Sequence, residues 1–486
     1  MKSSRFTSFG VSAVLISAIL ASTSSRAHES MGPDAANSER ILKTLAFDQI
    51  GQTGADGQSE QQHFAPMDML TMKLSMNFDL EAQRTPATAL IRFKATDDGL
   101  PCLILGPAVT SATLDGGKIS TFSVQTPDHL TRLTALNHAV DSGTEHTLEL
   151  RYDLPASEVT YREAGVGFVT AMADLRGGQL FEKYGPSNFE ADQFQLTVEL
   201  QITGDADYHQ VFSNGQVRNL GSQRWSIEFP AYFNNSAIYF HLTDSVLRVK
   251  RLTYPGLERS IPITIYSENR APLNQAVARI KDLFSELEGT FGPYRHASFT
   301  AYVSGGSGGM EHAGAAITSV RSLGHELTHS WFARGVMPAQ GRAGWIDEAV
   351  ASWRDYGFER KDPAESRERT VLSQSSPFEL FTPVNVYVDG RALLANLDFM
   401  FVANGGEKNG LKPILARFFS LWQGQVVTPE IFQGFLESES GISLQDIFSK
   451  YVYQAPGAPN RIESQSDAEY GFHPRPLTQR QIVRLR

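Results

Sequence analysis

The sequence predicts an α+β chain of more than one domain: an N-terminal antiparallel β-sandwich or saddle-like sheet, then a mainly helical domain. Three observations lead there. Apolar residues alternate with polar ones from about residue 66 to 255; alternation at period two is the pattern of strands with one face buried. After about 256 the spacing changes to three and four, the period of helices packed on one face. The helical part carries His325-Glu326-Leu327-Thr328-His329 and, after eighteen intervening residues, Glu348.

The first 27 residues read as a secretory signal peptide. Lys2 and Arg5 precede an apolar run from Phe9 to about Ala21, and Ser25-Arg26-Ala27 supplies small residues at the cleavage positions. The run is shorter than the ~20 residues a membrane-spanning helix needs. The mature protein is therefore expected to be exported, periplasmic or secreted, without stable membrane insertion. Residues 28–65 are polar and rich in Gly, Gln, Ser and Asp, a flexible lead-in.

In the β domain, 66–255, Met72, Leu74, Met76, Phe78 and Leu80 alternate with polar neighbours. Ile91, Phe93 and Ala95 continue the pattern, as do Leu148, Leu150 and Tyr152, and the cleanest run is Phe194 to Ile202. Turns are expected at Asp115-Gly116-Gly117, Arg176-Gly177-Gly178 and Ser213-Asn214-Gly215. Cys102, the single cysteine, lies in an apolar run and reads as a small buried hydrophobe; one thiol forms no internal disulfide.

The second domain, 256–457, opens with a helix whose apolar residues run from Leu273 to Phe291 and which Gly292-Pro293 ends. A strand at Phe299–Val303 leads to a glycine-rich turn and to Met310-Glu311-His312. Later helices are expected at 391–403, 411–422 and 429–438, the last capped by Thr428 with Pro429 first. One more is expected from Ser443, with Asp446 as its capping-box acid. Residues 458–486 form a tail. The net charge of −10 argues against a nucleic-acid partner.

Two histidines four apart share a helix face, so His325 and His329 can converge on one zinc at about 2.0–2.1 Å. Glu326 then lies beside the open position, and Glu348 from a following helix completes three protein ligands. A fourth site left to water marks catalytic rather than structural zinc. Glu326 is the general base of this reading. Asp355, seven residues after Glu348 on the same face, is placed to hold a histidine ligand's second nitrogen, while its neighbour Arg354 offers a plain surface pair instead.

Three motifs in order resemble those of the gluzincin aminopeptidases, the metallopeptidase family that includes aminopeptidase N. They are Gly308-Gly309-Met310-Glu311-His312, His325 to Phe332, and Trp345-Ile346-Asp347-Glu348-Ala349. The segment Pro186 to Phe194 is similar to the family's sheet-domain stretch facing the active site, and the likeness covers about 66 to 457. It implies a thermolysin-like catalytic domain, one Zn2+ per chain and peptide substrates with a free N-terminus. The large helical C-terminal domain of many relatives is not evident.

The resemblance also implies roles. Glu311 would bind the substrate's α-amino group through a charge-assisted pair, on a strand edge where Gly308, Gly309 and Met310 line the substrate. Tyr387 would stabilise the tetrahedral oxyanion, although Val388 and Asp389 stand where the family has Glu and Lys. His312, where the family has Asn, is expected behind the ligands rather than on the metal.

Three readings stay open: a zinc aminopeptidase; a zinc endopeptidase or glycyl-aminopeptidase-like enzyme with relaxed end recognition, since Gly-Gly-Met-Glu-His is also similar to that group's Gly-Gly-Leu-Glu-His; and a non-catalytic peptide-binding protein that kept the fold. The intact motif weighs against the last.

Overall fold

The computed structural model describes residues 63–125, 132–173, 179–188, 192–306, 308–338, 343–365, 371–373 and 382–453. The signal peptide, the lead-in as far as residue 62, the expected turn at Arg176-Gly177-Gly178, residues 189–191 and the tail lie outside the described residues.

The strand Phe64–Asp79 is the spine of an 11-stranded sheet. It pairs antiparallel with Pro86–Ala95, setting Met72 opposite Ile91, and on its other side with Gln195–Thr203, setting Met72 opposite Leu196. Period-two alternation then puts Met72, Leu74, Met76 and Phe78 on one buried face together with Ile91, Phe93, Leu196, Val198, Leu148 and Leu150. Each such side chain removed from water stabilises the sheet by about 1.5–3 kcal/mol. The pair with Gln195–Thr203 is parallel, unlike the antiparallel pairing predicted. More than a hundred residues separate the two strands, ample for the crossover that parallel neighbours require.

Asp115 and Gly116, with φ of 51° and 80°, make the expected hairpin turn. The chain also bends at the expected Ser213-Asn214-Gly215, but without closing a hairpin. The bend carries it out of the four-stranded sheet, where Gln210–Ser213 pairs with Phe240–Thr243, to the edge strand Gln216–Gly221 of the large sheet. Asn214 donates to the carbonyls of Ala237 and Ala313 at 2.6 and 2.7 Å and accepts from the Tyr239 amide at 3.0 Å.

A five-stranded sheet follows, in the order Arg248–Pro255, Ser260–Ser267, Phe299–Val303, Ala315–Thr318, Met310–His312. Helix α1, Arg270–Phe291, crosses between two parallel strands and stops at Gly292, whose φ of 104° admits glycine readily. Among the described residues the remaining α-helices are α2 (Leu323–Thr328), α3 (Trp345–Asp355), α4 (Val386–Gly405), α5 (Leu411–Trp422), α6 (Pro429–Ser440) and α7 (Gln445–Tyr451). Thr428 caps α6, accepting from the Ile431 amide.

Two helices depart from the expectation. Helix α4 starts five residues before Arg391, and its Gly390 lets α3 approach so closely that a Cβ there would sit 2.8 Å from that of Ala349. Helix α7 is not capped by Ser443: the Leu444 amide is taken by the Glu437 carboxylate at 2.6 Å, so the helix begins one residue later.

Two large apolar cores result. One fills the sheet-rich half and includes Met310 and Ala313; the other lies among α1–α7 and the five-stranded sheet. A smaller cluster of Phe212, Tyr239, Tyr266, Tyr302 and Ile317 bridges them. Among the described residues, no helix is long and apolar enough to cross a membrane.

Candidate metal centre

Helix α2 is short, but His329 just beyond it keeps helical angles (φ −62°, ψ −16°), so His325 and His329 still share a face. Buried aromatics fix its end: Trp331 donates to the Gly292 carbonyl at 2.9 Å and packs against Tyr294. Helix α3 crosses alongside and presents Glu348 from its first turn, a position that favours a carboxylate.

The three predicted ligands converge. Glu348 Oε2 lies 3.1 Å from His325 Nε2 and 3.8 Å from His329 Nε2, and all three donor atoms fall within 4.8 Å of one another. Tetrahedral zinc at about 2.0–2.1 Å from each donor separates its ligands by roughly 3.3 Å, so these contacts match the spacing of groups sharing an ion. The tautomers fit as well. His325 Nδ1 meets Asp355 Oδ2 at 2.8 Å, and His329 Nδ1 meets the Phe332 carbonyl at 3.2 Å, leaving both Nε2 atoms to face Glu348. His329 Nε2 is buried and makes no hydrogen bond, which is the orphaned atom a metal would satisfy.

The electrostatics follow from these contacts. Burial opposes charge on His325, yet hydrogen bonds to Asp355 and Glu348 raise its pKa well above the usual value. Burial likewise disfavours ionised Glu348, but His329, His325 and the Tyr387 hydroxyl hold its pKa below the usual range. The carboxylate is anionic, the form a metal requires.

Glu326 and Glu311 adjoin this centre. Their carboxylates and a ring nitrogen of His329 form a second group within 4.8 Å, all buried. Glu311 stands on the edge strand Met310–His312, opposite Ala316. Gly309 just before it has no room for a side chain, because a Cβ would fall within 3 Å of the Glu326 carboxylate and of the Ile317 carbonyl. Met310 turns the other way, into the core of the sheet-rich half. His312 is fully buried against the Tyr239 ring, and burial pushes its pKa down to about 3; it belongs to neither cluster of metal-competent groups. Tyr387, in the first turn of α4, donates to Glu348 Oε1 at 2.7 Å and stacks on the His325 ring.

Arg334 is the residue that sequence reasoning missed. Its Nη2 donates to Glu311 Oε1 at 3.0 Å, with each side chain only 5% exposed. A tight turn after His329 sets it there: the Arg334 amide donates to the His329 carbonyl, and Ala333 is forced to φ 124°. A cation five residues beyond the motif's second histidine was the available signal.

No family model matches the chain, and no curated protein matches it. Solved structures do. A two-domain M1 zinc metallopeptidase variant bound to L-arginine superposes with a TM-score of 0.60 at 14% identity, over 84% of this chain and 98% of that one. An M1 zinc metallopeptidase from Deinococcus radiodurans gives 0.58 at 16%, over 80% and 94%. Leukotriene A4 hydrolase from Saccharomyces cerevisiae gives 0.59 at 15%, over 88% and 73%. The chain has the fold of the M1 zinc metallopeptidases.

Proposed function

We propose that this protein is a zinc-dependent aminopeptidase, one ion per chain, that removes N-terminal residues from peptides outside the cytoplasm. The observation that carries the reading is the convergence of His325, His329 and Glu348, with Glu326 and Glu311 against the same centre. His325, His329 and Glu348 would hold the ion. When bound, zinc polarises the scissile carbonyl and lowers the pKa of water from 15.7 to about 7.

The protein's own groups supply the rest. Glu326 takes the water's proton on its carboxylate and later returns it to the departing amine. Glu311 pairs with the substrate's α-ammonium and so fixes how far the chain enters. The Tyr387 hydroxyl, one hydrogen bond from a ligand carboxylate, turns to donate to the oxyanion as it develops. Asp355 holds the ring of His325 through Nδ1.

One observation favours a second reading, a zinc peptidase with relaxed end recognition: Glu311 is already paired with Arg334. Metal analysis tests the zinc that both require, and hydrolysis of aminoacyl anilides beside N-acetylated peptides separates the two. Turnover of free-amine substrates alone supports the aminopeptidase, and cleavage of blocked peptides supports the alternative. Glu326→Gln is expected to keep zinc while kcat falls by about 10²–10⁴; unchanged turnover would mean that another group is the base.

A further inference from the structure

We propose that Arg334 makes this site select peptides whose first residue is acidic, aspartyl or glutamyl; the inference rests on the aminopeptidase reading. Arg334 and Glu311 form an ion pair almost wholly removed from water. The backbone beneath it is fixed: the Arg334 amide donates to the His329 carbonyl, the Ala333 amide to Val336 and the Val336 amide to Trp331, while the guanidinium donates to Glu311.

A peptide's α-ammonium must therefore approach a carboxylate that already carries a cation. Two positive groups on one carboxylate repel each other strongly where water is excluded. A neutral first residue brings nothing to relieve that repulsion, and a lysyl or arginyl one adds to it. An acidic first residue brings its own anion. Its side-chain carboxylate is two or three bonds from the α-carbon, roughly 3–5 Å from the ammonium. That span suits a contact 3.0 Å long, so ammonium and carboxylate can meet Glu311 and Arg334 together. The planar guanidinium suits such two-point recognition. An acidic first residue then brings its ammonium and its carboxylate together and adds no net charge to the site.

The test is a set of aminoacyl anilides, Asp, Glu, Ala, Leu and Lys, assayed with the zinc-loaded full-length protein and its Arg334→Gln variant. The wild type is expected to favour acidic over neutral substrates in kcat/KM by about tenfold or more, with Lys slowest. Arg334→Gln is expected to abolish or reverse that order. Equal turnover of Glu and Leu anilides by the wild type, or the same preference in a folded variant, overturns the inference and leaves the aminopeptidase reading standing. Hydrolysis of N-acetylated peptides without any free-amine turnover overturns both. In case the variant does not fold, product inhibition is measured on the wild type: free L-aspartate and L-glutamate are expected to inhibit at about tenfold lower concentration than L-leucine, and equal inhibition refutes the selection.

Discussion

Removing the Asp355 carboxylate is expected to weaken zinc binding without touching a ligand. Asp355 Oδ2 lies 2.8 Å from His325 Nδ1, fixing the ring and the tautomer that points Nε2 toward Glu348. Losing such a partner ordinarily costs 10–100-fold in metal affinity, about 1.4–2.7 kcal/mol. The lower half of that range is expected here. The other Asp355 oxygen accepts from Arg354 at 3.2 Å, and Arg354 also pairs with Glu286 at 2.6 Å, so His325 feels a carboxylate already partly neutralised. Asp355→Ala should weaken zinc binding about ten- to thirtyfold, and Asp355→Asn less, since an amide oxygen can still accept from Nδ1. Competition with a chromogenic chelator at pH 7.5 measures the affinity, with circular dichroism to verify the fold. An alanine variant that binds zinc within twofold of the wild type would refute the assigned role.

Two further expectations concern stability. Ala333, at φ 124°, holds strain worth about 1–3 kcal/mol; Ala333→Gly relieves it but adds roughly 0.4–1 kcal/mol of freedom to the unfolded chain. A net gain near 1 kcal/mol should raise the urea midpoint, and a lowered midpoint would show that the turn is relaxed. Burial pushes His241 and His312 down to about 3 and His296 to about 4, below the ordinary 6.5. The unfolded chain therefore takes up protons first as pH falls, and the stability these neutral rings provide above pH 6.5 is lost from about 6.5 down to about 4 for His296 and about 3 for His241 and His312. Each contributes a slope near 1.4 kcal/mol per pH unit. Urea midpoints at pH 7 and 5 measure the combined slope, and a flat profile would contradict the burial of neutral imidazoles.

Much of this molecule could be read from its sequence because the information was local. Alternation in Met72 to Leu80 reports a half-buried strand by itself, and two histidines four apart need only a helix to converge. What escaped depended on partners distant in the chain. Nothing near Leu196 says that its strand runs parallel to Phe64–Asp79. The start of α7 shifted because Glu437, on the preceding helix, claims the Leu444 amide. Tyr387 lies one residue inside a helix that the 391–403 pattern began too late, since Gly390 looks like a break until its packing on Ala349 is seen. Arg334 carried no periodicity at all. Its meaning comes from Glu311, twenty-three positions earlier and on another element.

The hold of Asn214 on Ala237 and Ala313 has a consequence for how the molecule can be divided. The edge strand bearing Glu311 belongs by sequence to the helical half, yet Met310 and Ala313 are rooted in the core of the sheet-rich half. The candidate site is thus built by both parts of the chain. Cutting the protein between them would leave the histidines on their helix but take away the support that sets Glu311 at its distance from them, so neither fragment would hold the complete set of groups.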